Sequence, residues 1–80
     1  MASKHQTKLI KEYEGKGYFV INLIKTNKPG IADLLCLKVG EVPLFIESKE
    51  VKDTVKPLQW FMQGMLSRYG FTSIISKAKK

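Results

Sequence analysis

Three polar residues set in apolar, strand-like sequence carry the chemistry open to this chain. Asp33 stands between Gly30-Ile31-Ala32 and Leu34-Leu35, and Glu47-Ser48-Lys49 follows Leu44-Phe45-Ile46. A carboxylate in such surroundings costs several kcal/mol unless it is paired or holds a metal. Residues two apart on a strand share a face, so Glu47 and Lys49 point the same way. Lys38-Val39-Gly40-Glu41-Val42 reads as the turn of an antiparallel hairpin centred near Gly40. That register sets Asp33 opposite Glu47, with Cβ atoms roughly 4.5–5.5 Å apart. Two like charges so placed repel, and a divalent metal with Lys49 alongside fits the gap. The competing reading is a salt-bridged strand pair at a sheet edge, with Lys49 neutralising one carboxylate. Against it, Ala32, Leu34 and Leu35 make the Asp33 strand read as central.

The elements that position these residues follow from the pattern. Leu9, Ile10 and Tyr13 recur at helical spacing from about Ser3 to Glu14, ahead of Gly15 and Gly17. Tyr18 to Ile24 is β-branched and aromatic, a strand, and Lys25 to Gly30 is a polar turn holding Pro29-Gly30. Ile31 to Val39 and Pro43 to Val51 are the strands of the hairpin. Val55 to Tyr69 reads as a second helix, with Thr54 as N-cap, Pro57 in the first turn and Gly70 as the stop. Leu58, Phe61, Met62, Met65, Leu66 and Tyr69 form one stripe of that helix and read as core. Trp60 falls on its polar side, and Gln59 at the edge of the stripe. Phe71 to Ile75 is a last strand before a basic tail from about residue 76. The order is helix, three strands, helix, strand, an α/β chain whose economical packing is a mixed sheet flanked by helices.

Eighty residues read as one small domain, 1–80, with 44% hydrophobic content for one modest core. A formal charge of +7 favours a polyanionic partner. Arg68 is the sole arginine among fourteen basic residues, and a lysine-dominated surface suits phosphate contact more than base reading. No apolar run is long enough to span a bilayer, and no signal peptide is evident. Cys36 lies in an apolar strand and reads as a buried structural thiol, which points to a reducing cytoplasm. His5 has no partner at ligand spacing and reads as solvated.

Asp followed by Glu-x-Lys on paired strands resembles the PD-(D/E)XK nuclease superfamily. The words Lys25-Thr26-Asn27-Lys28-Pro29-Gly30-Ile31-Ala32-Asp33, Phe45-Ile46-Glu47-Ser48-Lys49 and Pro57-Leu58-Gln59 are similar to the virus-type replication-repair nuclease (VRR-NUC) domain. The likeness runs from about Lys4 to Ile75. It implies a minimal restriction-endonuclease-like core in the order α-β-β-β-α-β, and metal-dependent hydrolysis of DNA phosphodiester bonds. Mg²⁺, or Mn²⁺, would be held by Asp33, Glu47 and the main-chain carbonyl of Ser48. Lys49 would orient or deprotonate the attacking water, or stabilise the pentacovalent state. By the same resemblance Gln59 faces the catalytic centre or the DNA, and Lys25, Lys28 and Lys52 lie along the DNA backbone.

Two departures stand out. Ala32 replaces the proline that commonly precedes the aspartate. The first helix lacks the acidic residue that supports metal binding in many relatives, and Gln6 offers only a neutral amide oxygen. Stand-alone members resemble homodimers that cleave Holliday junctions, so the expectation is a structure-specific endonuclease acting on branched DNA in phage replication or recombination. The alternative is a catalytically weak or inactive DNA-binding module that keeps the nuclease fold. Trp60, a large aromatic on a polar face, asks for a cover, and a second copy of the chain would supply one.

Overall fold

Leu9, Ile10 and Tyr13 do fall on one side of a helix, α1 (Lys4–Gly15), in a computed structural model that describes residues 4–79. The expected start at Ser3 lies outside the described residues. Four strands follow the predicted order: β1 (Phe19–Asn22), β2 (Leu34–Leu37), β3 (Leu44–Lys49) and, after helix α2 (Pro57–Arg68), β4 (Thr72–Lys77). They lie in one sheet in the order β1-β2-β3-β4. The first three are antiparallel, and β4 runs parallel to β3. A parallel neighbour needs a long crossover, and α2 provides it.

One face of the sheet carries the core. Leu34, Cys36 and Ile46 are fully buried, with Leu9 of α1 packed on them and Ile10, Tyr13, Val20 and Ile74 around the rim. Burial pushes the Cys36 thiol up from its ordinary pKa, which keeps it protonated and inert.

The hairpin register is the one expected. Leu34, Leu35 and Cys36 pair with Ile46, Phe45 and Leu44. Its turn closes with the Glu41 amide donating to the Lys38 carbonyl at 3.0 Å, and Gly40 supplies the required φ of +81°.

Several boundaries differ from the sequence reading. The first three strands are shorter than predicted because turn geometry takes their ends. The Ile24 amide turns back to the Asn22 carbonyl, and the Ile31 amide closes on the Lys28 carbonyl, so the β1–β2 ladder ends at Asn22 and Leu34. Asp33 therefore stands in the bend at the mouth of β2, an interior strand. The last strand is longer than predicted: Ser76 and Lys77, expected in the basic tail, pair with Ser48 and Lys49. Thr54 is not the N-cap of α2, and Val55 is not in the helix. Pro57 holds Lys56 extended, at φ −81° and ψ 155°, so the helix begins at the proline. At its other end the Phe71 amide reaches the Leu66 carbonyl and the Gly70 amide the Ser67 carbonyl, a Schellman closure.

The predicted core stripe of α2 is the largest correction. Leu66 is buried and Met62 and Met65 are half-buried, but Leu58, Phe61 and Tyr69 are exposed. α2 packs chiefly on β4, the outermost strand, so the sheet beneath it covers only a narrow line of the helix.

Candidate active site

Strand alternation sends Leu44 and Ile46 to the core face of β3, and Glu47 and Lys49 to the other. That second face lies under α2, and there Glu47 and Lys49 are only 7% and 8% exposed. Their strand is interior to the sheet and paired with β4 as far as Lys49. On the other side the β2 ladder stops at Leu34–Ile46 and gives way to the Asp33 bend, so they do not lie on an outer edge strand. The Lys49 ammonium nevertheless stands 3.6 Å from Glu47 Oε2.

Asp33 reaches the same place from the next strand. Carrying the ladder one residue past Leu34–Ile46 sets Asp33 against Glu47. Its Oδ2 accepts a hydrogen bond from the Ser48 amide at 2.9 Å, and the Leu23 amide donates to the Asp33 carbonyl at 2.7 Å. The bend is thus fixed from both sides. A residue's amide and carbonyl leave a strand toward the same neighbour, so the Ser48 carbonyl opens on the Asp33 side, beyond the end of the β2–β3 ladder.

Gln59, in the first turn of α2, closes the cluster. Its Nε2 donates to Glu47 Oε2 at 2.9 Å, and its Oε1 accepts from the Lys56 amide at 2.9 Å. One amide side chain therefore caps the helix and holds the carboxylate. Gly30 makes this approach feasible. It adopts φ +83°, and a Cβ there would come within 2.7 Å of Leu58 Cγ and 2.9 Å of the Leu58 carbonyl oxygen. The turn that delivers Asp33 is thereby pressed against the turn that delivers Gln59. A crevice lined by Gly30, Ala32, Glu47, Val55, Gln59 and Leu66 lies between them.

The electrostatics follow from this enclosure. Burial first, and then the neighbouring Asp33 carboxylate, push the Glu47 carboxyl up to about 7, against the pull of Lys49. Both the charge of Asp33 and hydrogen bonding with it act in this upward direction. One lysine does not balance the two carboxyl groups. An oxygen-seeking divalent cation would, and the donor set (two carboxylates and a main-chain carbonyl) is the kind Mg²⁺ accepts while keeping several waters. Among the described residues no group of three or more His, Cys, Asp or Glu side chains converges on a metal-binding arrangement.

The remaining predicted residues fall around this centre. Gln6 of α1 donates through Nε2 to Asn22 Oδ1 at 2.9 Å, and Asn22 pairs with Leu34, one residue from Asp33. Lys25 and Lys28, in the β1–β2 connection, and Lys52, after β3, are exposed. Both connections leave the same end of the sheet, the end at which Asp33 and Lys49 stand. His5 is not simply solvated: from α1 its Nε2 lies 3.0 Å from Ser76 Oγ of β4, and it is half-buried. Sequence reasoning missed that contact, which joins residues 71 apart in the chain. It also missed the double use of Gln59, whose only local signal was its place two residues after Pro57.

Neither a family model nor a curated protein matches the sequence. A solved structure described as a VRR_NUC domain does match in three dimensions, with a TM-score of 0.80 over 96% of this chain and 87% of that one, at 22% sequence identity. The chain has the VRR-NUC fold, a mixed four-stranded sheet flanked by helices in the order α-β-β-β-α-β.

Proposed function

We propose that this chain is a metal-dependent DNA endonuclease whose centre is Asp33, Glu47 and Lys49, with Gln59 as a positioning residue. The observation that carries the reading is the burial of Glu47 and Lys49 on an interior strand, facing Asp33 across the end of the ladder. A structural role would be met more cheaply by apolar residues of the same volume. Asp33, Glu47 and the Ser48 carbonyl would hold Mg²⁺ or Mn²⁺, which when bound supplies charge neutralisation at phosphate and acidification of water. Gln59 keeps Glu47 Oε2 in place, and the Ser48 amide does the same for Asp33. Lys49 stands beside Glu47 to orient the attacking water and to meet negative charge as it develops on the phosphate. Lys25, Lys28 and Lys52 flank the centre and suit a backbone-following contact with DNA.

The fold is one that a nuclease domain uses, which supports the same reading. We take the substrate to be branched DNA, such as a Holliday junction, in phage replication or recombination, and the working form to be a homodimer with two such centres. A purified chain should cut labelled four-way junction, flap or duplex DNA with Mg²⁺ or Mn²⁺ and not with EDTA. Binding without cleavage in every metal would instead favour the inactive DNA-binding module. The lack of a third acidic side chain at the centre, among the described residues, is the observation on that side.

A further inference from the structure

The outer face of α2 carries an uncovered apolar stripe. Trp60, Phe61, Gly64, Met65 and Arg68 lie on one side of the helix, at spacings that place them in a single stripe. They surround a hollow of about 260 Å³. Trp60 is 56% exposed and Phe61 61%, with Leu58, Tyr69 and Phe71 exposed close by. At roughly 150–250 Å² per aromatic side chain, the open parts of these residues amount to several hundred Å². A patch of that size is about as large as the largest that monomers leave open, and such patches are often functional. With its polar surround it would form part of the roughly 800 Å² that a standard interface takes from each partner.

Gly64 is the second observation. A glycine in the middle of a helix weakens it, and nothing among the described residues requires one here. A Cβ at position 64 would meet no atom within 4 Å. The missing side chain leaves the helix backbone open to close approach from outside the chain.

Position and charge identify that partner. Trp60 and Arg68 lie four residues to either side of Gly64. In a two-fold pair of antiparallel helices crossing at Gly64, Trp60 of each copy meets Arg68 of the other, because a two-fold contact is reciprocal. Arg68 is the chain's sole arginine, and a guanidinium over an indole face is the favoured cation–π pairing. We infer that α2 packs antiparallel against α2 of a second copy, with Gly64 at the crossing and reciprocal Trp60–Arg68 contacts at each end. This rests on the homodimeric reading above and adds the surface that makes it. The contact begins one residue from Gln59, so the dimer also braces the turn that holds Glu47.

The test uses the full chain and its single tryptophan. Light scattering across a micromolar dilution series should show dimer passing to monomer, and Trp60 emission should move to longer wavelength on dilution. Gly64→Leu has room within the monomer and improves the helix, so it should fold at least as stably yet dissociate at concentrations ten-fold higher or more. Arg68→Glu should weaken the dimer similarly, and Arg68→Lys less. A dimer untouched by Gly64→Leu and Arg68→Glu would overturn this interface and leave the homodimeric reading standing. A wild-type monomer throughout the series would overturn both, whatever metal-dependent cleavage it shows.

Discussion

Two regions of this small chain invert the usual distribution of residues, in opposite senses. At the end of β3 a carboxylate and an ammonium group are buried, while on the outer face of α2 a tryptophan and a phenylalanine stand in the open. Charged residues are almost never buried unless paired, and contiguous apolar patches are rarely left exposed. Each inversion costs stability if the chain is considered alone. On the function and interface proposed above, each would be offset by something that binds: an ion and a phosphate at the first, a second copy at the second. The core face beneath α1, where Leu9, Leu34, Cys36 and Ile46 pack together, follows the ordinary rule and has only a structural task.

The comparison breaks outright if the buried charges do no chemistry. Glu47→Gln and Asp33→Asn should each lower cleavage of labelled DNA on the order of 10³-fold or more, about 4 kcal/mol of transition-state stabilisation. DNA binding should survive or tighten in both, since each removes negative charge facing phosphate. The Glu47→Gln variant should also melt no lower than wild type in EDTA, because a neutral amide replaces a poorly compensated carboxylate. Wild-type cleavage in Glu47→Gln would sink the proposed centre.

A pH series on the metal-free protein sharpens the same point. Glu47 has an ordinary carboxyl pKa of 4.5 when unfolded and about 7 when folded. Between those values the folded state keeps a proton that the unfolded chain has released. Its stabilising contribution is therefore complete below pH 4.5 and lost as pH rises through about 7, by up to about 3 kcal/mol. Denaturant melts in EDTA should show stability falling over that window, and Mg²⁺ should flatten the fall. A rise with pH over that range would contradict the buried-carboxylate account.

The approach of the two turns is the next target. Gly30→Ala places a methyl group against the Leu58 side chain and carbonyl in a left-handed backbone conformation, and should cost about 1–3 kcal/mol in chemical denaturation. Gln59→Leu removes one hydrogen bond to a carboxylate, about 1.5–3 kcal/mol if the bond is fully made. It should slow cleavage by ten-fold or more and displace the pH–rate profile to higher pH, because Glu47 is deprived of a donor that favours its ionised form. An unshifted profile would reduce Gln59 to a helix cap. The smallest effects belong to the exposed lysines. Replacing Lys25, Lys28 or Lys52 with alanine should lower the slope of log affinity against log salt by about 0.9 for each duplex phosphate no longer neutralised.

Much of the site was legible in the one-dimensional pattern because strand geometry is local and rigid. A period of two puts Glu47 and Lys49 on one face, and a single turn glycine sets the register that brings Asp33 against Glu47. The α2 stripe misleads for a physical reason. Periodicity shows that Leu58, Phe61, Leu66 and Tyr69 share a side of a helix, but not whether the chain has anything to lay against all of it. Pro57 is recognisable as a first-turn residue from its type alone. Its steric restraint on Lys56, which excludes Thr54 as the cap, outweighs the capping preference that the threonine suggests.

By itself, then, the sequence determined the order of elements, the hairpin register and the identity of the charged trio, all set by near-neighbour sterics and alternation. Only the tertiary structure decided how deeply Glu47 and Lys49 are buried, that Gln59 spans Lys56 and Glu47, that His5 meets Ser76, and that α2 rests on an edge strand with its aromatic side uncovered. Those facts depend on how segments distant in the chain come to lie on one another. Burial and desolvation are properties of that assembly, and no local pattern encodes them.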